Sequence, residues 1–178
     1  MSVLDVDGLR RVSEGESDNL LNAKMFLDKP ELQRVISVNG SVRGITTLGN
    51  DVFVILNGVT NVNVYDVNQV AVIRTLKIAG SSTLHEIVAS LRNNCLYISD
   101  HSQQVVHRHD LSNDVVTQWP TGGQCYGLSL TNIFNVLVTL MDTKKIKEYS
   151  PDGSLIREIS LDSRIVTHGI VFSCPLIE

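Results

Sequence analysis

Four short segments of this chain recur at nearly constant spacing: Arg43-Gly44-Ile45, His85-Glu86-Ile87, Tyr126-Gly127-Leu128 and His168-Gly169-Ile170. Their central residues stand at 44, 86, 127 and 169, so the steps are 42, 41 and 42 residues. A sustained period in this range confines a chain to repeat architectures, in which each unit buries its apolar face on a neighbour. Every unit reads as four short strands. A brief apolar strand follows each marker. After a turn comes a strongly apolar strand: Val52–Leu56, Cys95–Ser99 or Val136–Leu140. A third strand alternates and ends in an aromatic or an imidazole, at Tyr65, His109 and Tyr149. A fourth strand closes the unit, at 72–76, 115–119 and 155–159. The turns carry Gly, Asn, Asp and Ser, which tolerate left-handed backbone or fold their side chains onto nearby amides.

Four antiparallel strands per roughly 42 residues is the arithmetic of a β-propeller blade. The expected fold class is therefore all-β: four-stranded propeller blades in an incomplete ring, with about three full blades and flanking strands. A gradient within each unit supports this. The second strand is apolar at nearly every position, as a strand covered on both faces must be. The third and fourth strands alternate and carry charges, as outer strands meeting solvent do.

The second unit, Leu96-Tyr97-Ile98-Ser99-Asp100-His101-Ser102-Gln103-Gln104-Val105-Val106-His107-Arg108, resembles the NHL repeat of six-bladed, TolB-like propellers. Met141-Asp142-Thr143-Lys144-Lys145-Ile146-Lys147-Glu148-Tyr149 in the third unit is similar to it. The first unit departs, with Asn57-Gly58 where the Asp would sit. The lipoprotein-receptor YWTD and lactonase propellers share much of this pattern. The resemblance implies an interaction module for a protein partner, with an RNA-binding propeller or a calcium-dependent lactonase-like hydrolase as alternatives. It implies no cofactor for the leading reading.

The repeats divide the chain. Residues 1–31 form an N-terminal lead-in, where Ser17-Asp18-Asn19 predicts the cap of a short helix over Leu20–Leu27 that ends at Pro30. Residues 32–38 match the fourth strands and read as the outer strand of a preceding blade. Blades follow at 43–78, 85–120 and 126–161, then the first strand of another at 168–173 and a tail at 174–178. A six-bladed ring needs roughly 250 residues. The expectation is a fragment of a longer propeller, with a homodimer closing the ring as the alternative.

Composition narrows the partner. The net charge is −4, and only nine residues are Phe, Tyr or Trp. A nucleic-acid site wants clustered Lys and Arg with exposed aromatics, so nucleic acid is not the expected partner. Lys144, Lys145 and Lys147 form the one tight basic cluster and read as a solvated strand and turn. No apolar run approaches the roughly 20 residues of a membrane helix. Three cysteines, Cys95, Cys125 and Cys174, form neither a disulfide framework nor a CxxC pair, which points to a reducing, cytoplasmic setting.

The markers supply the site candidates. Arg43, His85, Tyr126 and His168 stand just before the innermost strands and rim the central channel, with Glu86 beside His85. They suit an anion, a metal or a peptide terminus, or else a solvated rim held by turn hydrogen bonds. Lactonase-type chemistry needs oxygen ligands converging on a divalent cation. Glu86 is the one carboxylate at a blade start, where other units have Gly44, Gly127 and Gly169. Asp100 and Asp142 sit on matched turns and suit amide-capping roles, with Asn57 as their counterpart. His101, His107 and His109 crowd one hairpin, read as solvated. No nucleophile elbow, phosphate-binding loop or dinucleotide fingerprint is present. No catalytic or metal-binding residue is therefore assigned.

Overall fold

A computed structural model describes residues 2–5, 10–12, 35–69 and 71–162. Fifteen strands run in chain order through them: β1 (Ser2–Asp5), β2 (Arg10–Val12), β3 (Val35–Val38), β4 (Val42–Leu48), β5 (Asp51–Leu56), β6 (Asn61–Asp66), β7 (Ala71–Lys77), β8 (Leu84–Ser90), β9 (Cys95–Asp100), β10 (Val105–Asp110), β11 (Val116–Pro120), β12 (Cys125–Leu130), β13 (Val136–Leu140), β14 (Lys145–Tyr149) and β15 (Leu155–Ser160). No helix occurs among the described residues. The strands form three antiparallel four-stranded sheets, β4 to β7, β8 to β11 and β12 to β15, each in sequence order. These are propeller blades. Their inner strands β4, β8 and β12 lie side by side, and among the described residues the ring they begin does not close.

A period of two explains why the second strand of each unit is apolar throughout. In β5, Phe53 and Ile55 face the second blade, while Val52 and Val54 face β3 on the other side. In β9, Leu96 and Ile98 meet the first blade, and Cys95 and Tyr97 meet the third. Each middle strand thus serves two interfaces. The outer strands serve few: all of β15 is exposed, and β7 buries only Leu76. Tyr65, His109 and Tyr149 pair with Val52, Leu96 and Val136, and all three are buried.

The N-terminal segment contributes strands. β1 pairs antiparallel with both β2 and β3, giving the order β2-β1-β3. Ile36 and Val38 of β3 cover Val42, Val52, Val54 and Tyr65 of the first blade. The helix expected over Leu20–Leu27, the blade strand at 168–173 and the tail lie outside the described residues.

Candidate functional site: a bulged channel rim

The inner strand of every blade carries a β-bulge at the same register. Val42 pairs with Leu56 and Gly44 with Ile55, so Arg43 is the extra residue. Between the pairs Leu84–Asp100 and Ile87–Ile98, the extra residue falls at His85-Glu86. Between Cys125–Leu140 and Leu128–Val138 it falls at Tyr126-Gly127. A bulge bends its strand and re-aims the side chain there. The repeated marker segments are therefore bulges, which put Arg43, His85 and Tyr126 on one rim.

The bulge amides need partners. Glu86 N donates to Ser99 Oγ (3.0 Å), and Gly127 N donates to Thr139 Oγ1 (2.8 Å). Ser99 and Thr139 each precede the last residue of the second strand, where the first blade has Ile55. Thr139 is buried. Thr139→Val keeps its shape and strands the Gly127 amide, so unfolding in urea should show a loss of about 1–3 kcal/mol. An unchanged midpoint would mean that the bulge needs no hydroxyl.

The rim side chains form one chain of contacts across three blades. Arg43 Nε donates to Asn57 Oδ1 (3.0 Å), and Arg43 Nη1 lies 3.2 Å from His85 Nε2. The His85 and Tyr126 rings meet edge to face with centroids 4.8 Å apart. The Tyr126 hydroxyl reaches His101 Nε2 at 2.7 Å, and those two rings meet edge to face at 4.5 Å. Tyr126 is thus gripped between two imidazoles. Arg43, His85, Tyr126 and His101 are all half-buried.

Three of the expected rim residues therefore meet. Glu86 stands beside them, but its Oε1 accepts from the amide of Ile87 (3.1 Å). Gly44 packs on it: a Cβ at Gly44 would come within 3.1 Å of Glu86 Cα and 3.0 Å of Ile87 N. Close approach of β4 and β8 is what requires glycine there. His168 lies outside the described residues. Asn57 and His101, expected in a turn and on a solvated hairpin, complete the rim. Each directly follows the second strand of its blade, a register that becomes visible only once the strand pairs are known.

The turns of the second strands depart from expectation. Asp100 and Asp142 are not register equivalents. Asp100 pairs with Leu84 as the last residue of β9, and its equivalents are Leu56 and Leu140. Asp142 stands two residues beyond Leu140, and Asn57 aligns with His101 and Met141. The two carboxylates still converge on one task, capping the amide that enters the inner strand. Asp100 accepts from Ser82 N (2.6 Å), Ser82 Oγ (3.0 Å), Thr83 N (3.2 Å) and Gln103 N (3.1 Å). Asp142 Oδ1 accepts from Gln124 N (3.0 Å) and Thr143 N (2.8 Å). Burial opposes ionisation of Asp100, but these donors outweigh it and hold the carboxyl below its ordinary range.

The histidine hairpin is not solvated. His107 and His109 are 0% and 2% exposed, because alternation turns both onto the face of Ile98 and Leu96. His107 Nε2 lies 3.6 Å from Asp100 Oδ2, and His109 Nε2 lies 3.1 Å from Asp114 Oδ1. Burial lowers the affinity of His107 for a proton, opposed by Asp100. The basic cluster is not simply solvated either: Lys145 and Lys147 both clamp Glu158, at 2.7 and 2.9 Å. Cys95 and Cys125 are buried, and burial pushes the Cys125 thiol up to about 11. Such thiols stay protonated and are poor nucleophiles.

Comparison with known proteins rests on shape. No family model matches the chain, and no curated protein sequence matches it. Among solved structures it is similar to the WD40 β-propeller domain of Doa1, with a TM-score of 0.62 at 14% identity over 76% of this chain and 46% of that one. It is similar to Kuenenia stuttgartiensis hydrazine synthase, with a TM-score of 0.64 at 13% identity over 80% and 42%. Virginiamycin B lyase from Staphylococcus aureus gives 0.60 at 13% over 68% and 41%. The chain spans less than half the length of each. At these identities the likeness is one of fold, and the fold is the β-propeller.

Proposed function

We propose that this chain belongs to a non-catalytic propeller scaffold that binds a protein partner at the rim of Arg43, His85, Tyr126 and His101. The observation that carries this reading is the contact chain itself. Four half-buried side chains from three blades hold one another in place. Tyr and Arg are the residue types that most often dominate binding energy, and a preorganised cluster loses little entropy on binding. Groups suited to chemistry are occupied elsewhere: Asp100 by backbone amides, Glu86 by its own chain, Cys125 by burial. The NHL-type propeller remains the subfamily we favour, on the pattern around Asp100.

The test is a captured partner titrated calorimetrically against the wild type and two folded variants. Arg43→Ala and Tyr126→Ala should each weaken binding about 30-fold, the ~2 kcal/mol of a hot-spot residue. A partner bound equally by all three proteins would place the interface elsewhere. Loss of binding at raised salt without partner protein, on single-stranded RNA, would favour the nucleic-acid reading.

A further inference from the structure

Asn57-Gly58 differs from the other rim turns in its chemistry. Asn57 is exposed, and its side-chain carbonyl Oδ1 accepts from the Arg43 guanidinium at 3.0 Å. Gly58 follows with φ +77°, and nothing lies within 4 Å of where a Cβ would stand. Among the described residues, the Gly58 amide donates no hydrogen bond, whereas its neighbours Asn57 N and Val59 N donate to Ser41 O and Leu56 O. A free backbone amide therefore stands next to a carbonyl polarised by a cation.

We infer that Asn57 is a site of spontaneous conversion to aspartate and isoaspartate, with Arg43 as the activating group. Gly58 N loses its proton to solvent base and attacks Cγ of Asn57. The new C–N bond closes a five-membered succinimide, and the Cγ–Nδ2 bond breaks as Nδ2 takes a proton from solvent and leaves as ammonia. Water then opens the ring at either carbonyl. A hydrogen bond from a charged donor is strongest where the carbonyl oxygen becomes an oxyanion, so Arg43 favours the attack. Glycine lets its nitrogen approach because no Cβ crowds the ring. The product places a carboxylate beside Arg43, which changes the charge of the rim.

The chain contains its own reference. Asn39-Gly40 is also exposed, and among the described residues Asn39 has no side-chain hydrogen bond. Asp152-Gly153 has a matching glycine, but its amide donates to Ser150 O at 2.9 Å. The experiment incubates folded protein in mildly alkaline buffer and follows both Asn-Gly peptides by mass spectrometry. Asn57 should convert faster than Asn39, and Arg43→Gln should slow Asn57 about tenfold, equivalent to ~1.4 kcal/mol of barrier, while leaving Asn39 unchanged. In denaturant, where Arg43 is no longer positioned, the two wild-type rates should converge. Equal native rates at the two sites, or the same Asn57 rate in folded Arg43→Gln, would overturn the inference. Should that variant not fold, the native-to-denatured change in the Asn57-to-Asn39 rate ratio decides alone.

Discussion

Trp119→Ala should cost about 3–5 kcal/mol, the range for emptying a buried aromatic site. Trp119 is the one buried residue of the outer strand β11, at 7% exposure. It joins the second blade to the third: its ring lies 6.0 Å from Tyr97 and 5.9 Å from Tyr149, centroid to centroid. The β14–β15 turn of the third blade closes on it through Gly153. A Cβ there would stand 2.6 Å from Trp119 Cδ2, at a φ of +90° that side chains rarely adopt. Gly153→Ala should therefore also destabilise, by about 1–3 kcal/mol from overpacking and backbone strain. The two sites share one contact, so their effects should not add: Gly153→Ala should cost less when Trp119 is already alanine. Urea unfolding followed by circular dichroism measures all three variants, since Trp119 is the only tryptophan. Full additivity would show that the turn does not rest on the indole.

The second large effect is expected at the buried Asp100–His107 pair. Asp100→Ala strands the amides of Ser82, Thr83 and Gln103, at ~1–3 kcal/mol for each donor left without a partner. A loss of about 3 kcal/mol or more should follow. The pair also sets an acid response. His107 holds its proton less firmly when folded than the ordinary value of 6.5. The unfolded chain therefore binds a proton first as pH falls below about 6.5, and stability drops through that window until the folded ring also protonates. Asp100 acts in the same direction at lower pH. Its carboxyl is held below 3.8 in the fold, so its contribution is present above that value and fades as pH falls through the folded pKa. Wild type should lose stability between roughly pH 7 and 5 with a slope of up to ~1.4 kcal/mol per unit from His107. His107→Phe should flatten that slope, whatever its effect on absolute stability. Equal slopes in the two proteins would assign the response to other histidines.

The repeat length and the turn chemistry were legible in the chain because strand periodicity and glycine, asparagine and aspartate preferences are local properties. The doubly apolar second strands at 52–56 and 95–99 announced burial on both faces, and neighbours obey it on opposite sides of one blade: Val52 and Phe53 in the first, Leu96 and Tyr97 in the second. Arg43, His85 and Tyr126 were recognisable as equivalent because their spacing repeats. What no local pattern carried was the pairing register. Asp100 is the last paired residue of its second strand whereas Asp142 lies two residues beyond the end of its own, which is why the two look equivalent in sequence and are not. The burial of His107 likewise depends on the neighbouring blade, since a hairpin with three histidines reads as polar until its faces are assigned. Composition and period alone determined that this chain builds four-stranded blades. Only the packing of blade on blade decided which polar groups are walled in with a partner, as Asp100 is, and which, as Arg43 and Tyr126 do, stand on the rim. Such contacts join residues about forty positions apart, and their energy depends on geometry that the intervening sequence does not encode locally.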